Sequence, residues 1–330
     1  MSRSSSSTEL VIGDRLKAVP IACLRADSDP NFDIYIQPKE GVNPVLYRER
    51  HLTFSEEVLM RLINNQIDTV YVDREQWPSF QHYVEENLGH VLSDPTIDKG
   101  KKAELLYDSA QGLMEEVLED PRSGDLILRS RELVKHATPF LKSEKGALEE
   151  LIRVASFDYY TYTHSVNVFM FSNALARQVG VSDDLSLREL GVGTLLHDIG
   201  KSRLDPEVVN CRGKLNDEQW HQMKMHPVWG HEIALEHGSF SPMSLDIIRH
   251  HHEKLDGSGY PDQLRGRQIP SFTRIATICD IFDALTTKRV YKDALNSFPA
   301  LKLMRDEMVK EIDQELFFAF VNMMANPDDA

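Results

Sequence analysis

The sequence predicts a mainly α protein, a C-terminal all-helical bundle joined by helices to a small N-terminal α/β module. Three observations carry that prediction. Strand-forming runs are confined to roughly the first 90 positions, and beyond about position 95 apolar residues recur at helical spacing. The chain of 330 residues is long enough for about two domains, each with its own core.

The elements follow in order. Residues 1–14 are polar and read as a disordered tail. Val19 to Leu24, Ile34 to Ile36 and Val45 to Tyr47 are rich in strand formers. Thr53-Phe-Ser-Glu56 reads as a capping box opening a helix through Val58, Leu59, Leu62 and Ile63. Thr69 to Val72 reads as a buried strand, and Trp77, Phe80, Tyr83, Val84 and Leu88 as a helix face. These make a small regulatory or interaction module over 15–92. Leu106, Ala110, Leu113, Met114 and Val117 form one apolar face, and Leu126–Leu141 and Ala147–Ala155 read as two more helices. The stretch 93–145 is expected to be a helical connector. Its stripe would pack within the chain, or else serve a homodimer. From 146 to 330 the pattern stays helical, with loops expected at 201–216 and 253–272.

Composition removes several classes of function. Lys and Arg number 37 against 52 Asp and Glu, a net charge of −15, which argues against a DNA or RNA partner, whose phosphates are bound mainly by basic residues. A small anion in a local basic pocket stays open. Cys23, Cys211 and Cys279 are far apart with no CxxC pair, which excludes thiolate zinc ribbons and fits a reducing compartment. No run of ~18 apolar residues and no apolar signal segment occurs, so the expected location is cytoplasmic, without a membrane partner.

The chemistry-bearing histidines cluster between 164 and 252. In Leu195-Leu-His-Asp-Ile-Gly-Lys201, His197 and Asp198 would lie about 100° apart on a helix, able to face one metal, with Lys201 on the same side and Gly200 at the helix end. Carboxylate with imidazole suits transition metals rather than Ca²⁺. A lone His–Asp pair is more often a satisfied structural pair, whereas His-Asp-Ile-Gly-Lys at the end of an apolar helix is a more specific signal. In Arg249-His-His-His-Glu-Lys-Leu-Asp-Gly-Ser-Gly-Tyr-Pro261, two of the three histidines can face one point if the helix ends there. The glycines allow close backbone approach, and Pro261 extends Tyr260. A solvated polyhistidine patch would not need such a turn behind it. His221, His231, His237 and His250 are given no catalytic role, and Glu253 reads either as an acceptor orienting a ligand imidazole or as a solvated charge.

These stretches resemble the HD-GYP family, bacterial cyclic di-GMP phosphodiesterases of the HD metal-dependent phosphohydrolase superfamily. The likeness runs through Tyr162-Thr-His164, His197-Asp198-Ile-Gly-Lys201, His226-Pro-x-x-Gly230, His251-His-Glu-x-x-Asp-Gly-x-Gly-Tyr-Pro261 and Asp280-Ile-Phe-Asp-Ala-Leu-Thr286. It implies an HD-type bundle over 146–330. It also implies hydrolysis of cyclic di-GMP to pGpG, with a second cut to GMP, by a metal-bridged hydroxide at a binuclear site. His164, His197, Asp198 and Asp280 would hold one ion; Asp198 would bridge to a second, completed by His226, His251 and His252. Asp198 and Lys201 would be catalytic, Lys201 facing the phosphate. Gly259, Tyr260 and Pro261 would line the substrate, with Arg289 and Lys292 contacting it and Asp283 supporting them. Iron or manganese is the expected metal, with Zn, Ni or Co as alternatives.

Residue geometry adds a condition. Arg289 is nine positions past Asp280, half a turn off its helix face, so the chain must bend near 286–288 for Arg289 to reach the site; a surface Arg–Asp pair is the other reading. A third metal in some members uses a glutamate four residues before the first histidine. Here Tyr160 stands there, and Asp158 lies about 200° around the helix from it, so two metals are expected. Two competing readings are a catalytically silent metal- and nucleotide-binding receptor, with a signalling protein partner, and a phosphodiesterase for another cyclic dinucleotide such as 3′,3′-cGAMP.

Overall fold

A computed structural model describes residues 15–38, 42–144, 146–155, 161–209, 211, 213–287 and 295–326. The chain divides into two compact units, Met1–Leu105 and Leu106–Ala330.

In the first unit, β1 (Leu16–Pro20), β2 (Ile34–Ile36), β3 (Val45–Arg48) and β4 (Thr69–Asp73) form an antiparallel sheet in the order β1-β4-β2-β3. Helices α1 (Glu56–Asn64), α2 (Trp77–Glu86) and α3 (Leu88–Ser93) complete it. Phe32 sets its ring edge-on against both Phe80 and Tyr83, and all three are buried. Two expectations shift. The strand expected at 19–24 starts at Leu16 and stops at Pro20, because Pro20 already faces Thr69, the first residue of β4, and the chain turns into a 3₁₀ stretch at Ile21–Cys23. The cap of α1 is Ser55 rather than Thr53: Ser55 has extended backbone, and its side chain accepts from the amide of Val58.

Helix α4 (Lys99–Glu119) runs across the division. The second unit continues with α5 (Gly124–Ser143), α6 (Ala147–Val154), α7 (Thr161–Gln178), α8 (Asp184–Leu195), α9 (Pro206–Val209), α10 (Asp217–Met223), α11 (His226–His237), α12 (Pro242–His250), α13 (Ser271–Thr286), α14 (Ser297–Glu307) and α15 (Gln314–Ala325). The connector expected over 93–145 is thus divided. Helix α5 packs on α7 and α8 and buries Leu133, Val134 and Ala137, so its stripe is covered within the chain. Helix α7 is the axis of the unit: every residue from Thr163 to Ala176 is buried, and α5, α8, α13 and α15 pack around it. The core on one side is a three-ring cluster of Phe171, Phe282 and Phe320, with centroids 4.9–6.2 Å apart in edge-on geometry. Phe282 lies between Asp280 and Asp283 on α13, so packing this cluster turns both carboxylates the other way.

No helix among the described residues is long and apolar enough to cross a membrane. The cysteines are unpaired, and burial pushes the Cys23 thiol up to about 12.

Phe320 is fully buried, whereas Phe318, two residues earlier, is 53% exposed. Phe320→Ala should cost roughly 3–5 kcal/mol and Phe318→Ala less than about 0.5 kcal/mol. Urea unfolding followed by circular dichroism checks the contrast.

Candidate metal centre

Four histidines are aimed inward by one local device, an acceptor on the Nδ1 side. Helix α8 ends at Leu195, so His197 and Asp198 stand just past it rather than on it, where the chain tightens into a 3₁₀ stretch at Ile199–Arg203. The last carbonyls of a helix lack partners. His197 Nδ1 meets the carbonyl of Thr194 at 2.7 Å. His226 repeats this with Met223 at the end of α10 (2.7 Å), and His251 with Ile248 at the end of α12 (3.0 Å). In each case the acceptor is three residues back. His164, in the middle of the bundle, has a carboxylate instead, with Asp283 Oδ2 2.7 Å from its Nδ1. An Nδ1–H donated outward leaves the Nε2 lone pair facing the centre.

There the donors converge. Asp198 Oδ2 is 3.6 Å from His164 Nε2 and 3.4 Å from His197 Nε2, while its Oδ1 is 3.2 Å from His226 Nε2 and 3.9 Å from His251 Nε2. Asp280 Oδ1 is 3.0 Å from His164 Nε2, and its Oδ2 is 3.5 Å from His252 Nδ1. Two donor sets result: His164, His197 and Asp280 on one side; Asp198, His226, His251 and His252 on the other. The two oxygens of Asp198 face different sets. All these residues are buried except His252, which is partly open.

The residues fit a divalent cation. His197 Nε2 and Asp198 Oδ1 are buried without a hydrogen-bond partner, which is costly unless something else satisfies them. His226 Nε2 and His251 Nε2 lie 3.2 Å apart while each ring's Nδ1 faces a carbonyl, so two lone pairs oppose each other, a contact that a cation relieves. Burial lowers His226 and takes His251 far down, helped by the neighbouring histidines, and lowers His252 to about 3; all three stay neutral, as ligands must. Burial works to raise Asp198 and Asp280, but Lys201 and the surrounding histidines outweigh it for Asp198. His164 and His252 do so for Asp280, and both carboxylates stay ionised. Burial also works to lower His164, but Asp280 and Asp283 raise it to about 10, so without a cation its Nε2 carries a proton toward Asp280, which a bound ion would displace.

Lys201 Nζ sits 2.5 Å from Asp198 Oδ2. The glycine at 200 is not a helix terminator: a Cβ there would land on the carbonyl oxygen of His226 and crowd the amide of Gly230. Only a glycine lets the 3₁₀ stretch press against α11 so that His197 and His226 share one centre. Helix α12 ends at His250, which frees His251 and His252 to turn inward while His250 faces Asp246 and Asp262 at 2.8 and 2.9 Å.

The loop after α12 carries Tyr260, whose ring lies 4.8 Å from that of His252 at 34°. Gly259 is buried, and a Cβ on it would run into the backbone of 252–254. Pro261 follows through a cis bond. Glu253 fits neither expectation. It is buried, and its two carboxylate oxygens accept the amides of Asp262 (2.6 Å) and Leu264 (3.0 Å), stapling the loop to the end of α12. Arg249 clamps the side chain of Asp262 in bidentate fashion at 2.7 and 3.0 Å. Asp283 holds His164 and Asn167; its expected support of Arg289 and Lys292 falls on residues outside those described. Helix α13 stops at Thr286 and Thr287 is extended, so the chain leaves the helix where the bend was expected. Arg289, Lys292, Tyr160 and Asp158 lie outside the described residues.

One residue missed in the sequence is Trp220 on α10, 47% exposed, its ring 6.2 Å from that of Tyr260 at 79°. The Asn216–Gln219 capping box that starts α10 could have flagged it.

Comparison with known proteins bears on the family and the fold. The HD domain family matches residues 141–316. The cyclic di-GMP phosphodiesterase PA4108 of Pseudomonas aeruginosa is 31% identical over 93% of this chain and 76% of its own length. A 3′3′-cGAMP-specific phosphodiesterase of Vibrio cholerae (number 3) is 36% identical over 48% of this chain, but over only 34% of its own. Among solved structures, Bd1817, a HDG"Y"P protein from Bdellovibrio bacteriovorus, aligns with a TM-score of 0.64 and 22% identity, covering 94% of this chain and 99% of that one, a likeness of fold.

The Arg249 clamp makes the loop's anchoring depend on pH. Hydrogen bonding to Arg249 outweighs burial and holds Asp262 at about 2, against an ordinary 3.8. Between those values the unfolded chain binds more protons, so the clamp stabilises fully above about pH 4 and is lost as pH falls toward 2. Asp262→Asn should therefore lower Tm at pH 6, with the gap to the native protein narrowing steadily below pH 4 in a melting series.

Proposed function

The chain belongs to the HD-domain family, and on that premise we propose that it is a metal-dependent phosphodiesterase hydrolysing cyclic di-GMP to linear pGpG in bacterial signalling. The observation that carries this reading is the pair of donor sets joined by one carboxylate, Asp198. His164, His197, Asp198 and Asp280 would hold one cation and Asp198, His226, His251 and His252 the other. Donors restricted to imidazole and carboxylate, with no thiolate, admit iron, manganese, zinc, nickel or cobalt, and the family resemblance favours iron or manganese. Bound cations supply an acidified water and neutralise phosphoryl oxygens.

The chain's own residues do the rest. Lys201, a fixed ammonium against Asp198, faces the charge that grows on the phosphate during hydrolysis. The half-open imidazole of His252 marks the side from which substrate approaches, and Tyr260 stands over it. Trp220, edge-on to Tyr260 and half exposed, offers a flat apolar face to a purine. Glu253 and Arg249 keep this aromatic wall in place by fixing the loop behind it. Arg289 and Lys292 remain proposed contacts to the nucleotide, and Gly259 and Pro261 shape the turn that presents Tyr260. The likeness to the Vibrio cholerae cGAMP phosphodiesterase favours 3′,3′-cGAMP as the second substrate to examine.

Anaerobically purified, metal-loaded protein should convert cyclic di-GMP to pGpG, read by chromatography, with the 3′,3′-cGAMP rate measured alongside. Asp198→Ala removes a ligand from both sets and should abolish turnover with the fold intact; sustained hydrolysis by that variant overturns the mechanism. Trp220→Ala should raise KM roughly tenfold, within the ~1–3 kcal/mol of a base–aromatic stack, at unchanged metal content.

A further inference from the structure

His164 differs from His197, His226 and His251 in having a side chain, not a backbone carbonyl, behind its Nδ1. A carbonyl at a helix end is fixed by the helix. A carboxylate is not, and must itself be held. Asp283 is held on both oxygens: Thr287 Oγ1 donates to Oδ2 at 3.1 Å, and Asn167 Nδ2 donates to Oδ1 at 2.8 Å. Asn167 lies on α7, three residues after His164, so the amide and the imidazole reach Asp283 from one face of the same helix.

An amide can turn over, and only one of its ends suits a carboxylate. Its NH₂ donates to Asp283, whereas the reversed amide would set a carbonyl oxygen against a negative charge. Asp283 thus selects the orientation, and the group at the far end decides how firmly the amide is held in it. Tyr107, on α4, donates its hydroxyl to Asn167 Oδ1 at 2.9 Å. That bond anchors Oδ1 on the α4 side, so the amide is held at both ends with Nδ2 toward Asp283. All four side chains are at most 2% exposed, so bulk water does not replace a missing link.

We propose that Tyr107 is a positioning residue for the metal centre. Through Asn167 and Asp283 it sets the tautomer and the aim of His164. The chain of bonds Tyr107–Asn167–Asp283–His164 ties the donor set of His164, His197 and Asp280 to α4, the helix whose first turns belong to the N-terminal unit. This rests on reading His164 as a ligand, and its test needs no substrate.

The test uses the full chain stripped with chelator and titrated with Mn²⁺ in a calorimeter. Tyr107→Phe removes only the hydroxyl. It should weaken one of two Mn²⁺ binding events by about tenfold, as loss of a group supporting a ligand does, and leave the other close to native. Thr138→Val is the control: that buried hydroxyl bonds to the Val134 carbonyl of its own helix, so its loss should lower Tm without moving either Mn²⁺ affinity. Asn167→Leu should reproduce the Tyr107→Phe loss or exceed it. A Tyr107→Phe isotherm that superimposes on the native one overturns the proposal, as does an equal loss in Thr138→Val. A native chain that takes up no Mn²⁺ overturns both the relay and the metal centre. Native protein that binds Mn²⁺ but leaves cyclic di-GMP intact counts against the proposed function, and the Tyr107→Phe comparison still decides the relay.

Discussion

The constraint on which the helical unit depends is the burial of five imidazoles and two carboxylates with their electron-rich atoms turned toward each other. Left alone, such a cluster is unfavourable: lone pairs oppose lone pairs, and two polar atoms have no hydrogen-bond partner. The fold tolerates it because every ring but that of His252 has its other nitrogen engaged by a carbonyl or carboxylate oxygen, and because Lys201 and the histidines keep Asp198 and Asp280 charged despite burial. The Phe171–Phe282–Phe320 cluster contributes from behind, since the apolar face of α13 that it anchors is opposite the face carrying Asp280 and Asp283.

Much of this was legible in the sequence. The helical period past position 95, the clustering of histidines and the Gly-Tyr-Pro turn predicted both the bundle and the residues that it gathers. The structure gathers the residues that the resemblance pointed to into two groups, and the two oxygens of Asp198 face different ones. What escaped the sequence is what depends on contacts between distant segments. Gly200 reads as a helix terminator until α11 is seen to cross against it. Glu253 reads as a ligand's partner or a solvated charge until the loop returns two amides to it. Nothing in the local sequence shows that Asp283 meets His164 and Asn167, which α7 brings to it from more than a hundred positions away. Local rules also failed where several candidates competed, as at Ser55, which caps α1 although Thr53 offered the more familiar pattern.

The loop between α12 and α13 shows how a long irregular segment is kept in one shape. Its anchors come from α12 and its end: Glu253 receives two backbone amides, and Arg249 and His250 hold Asp262. The same short stretch that turns His251 and His252 inward therefore also fixes the aromatic wall carrying Tyr260. His251, His252 and the Tyr260 turn are placed by one element and cannot drift apart independently.

Three of the histidines satisfy the final carbonyls of the helices that precede them. Ending those helices and aiming the rings are consequently one local arrangement: a change that frays the last turn of α8, α10 or α12 would also release an imidazole from its carbonyl and swing it away from the cluster.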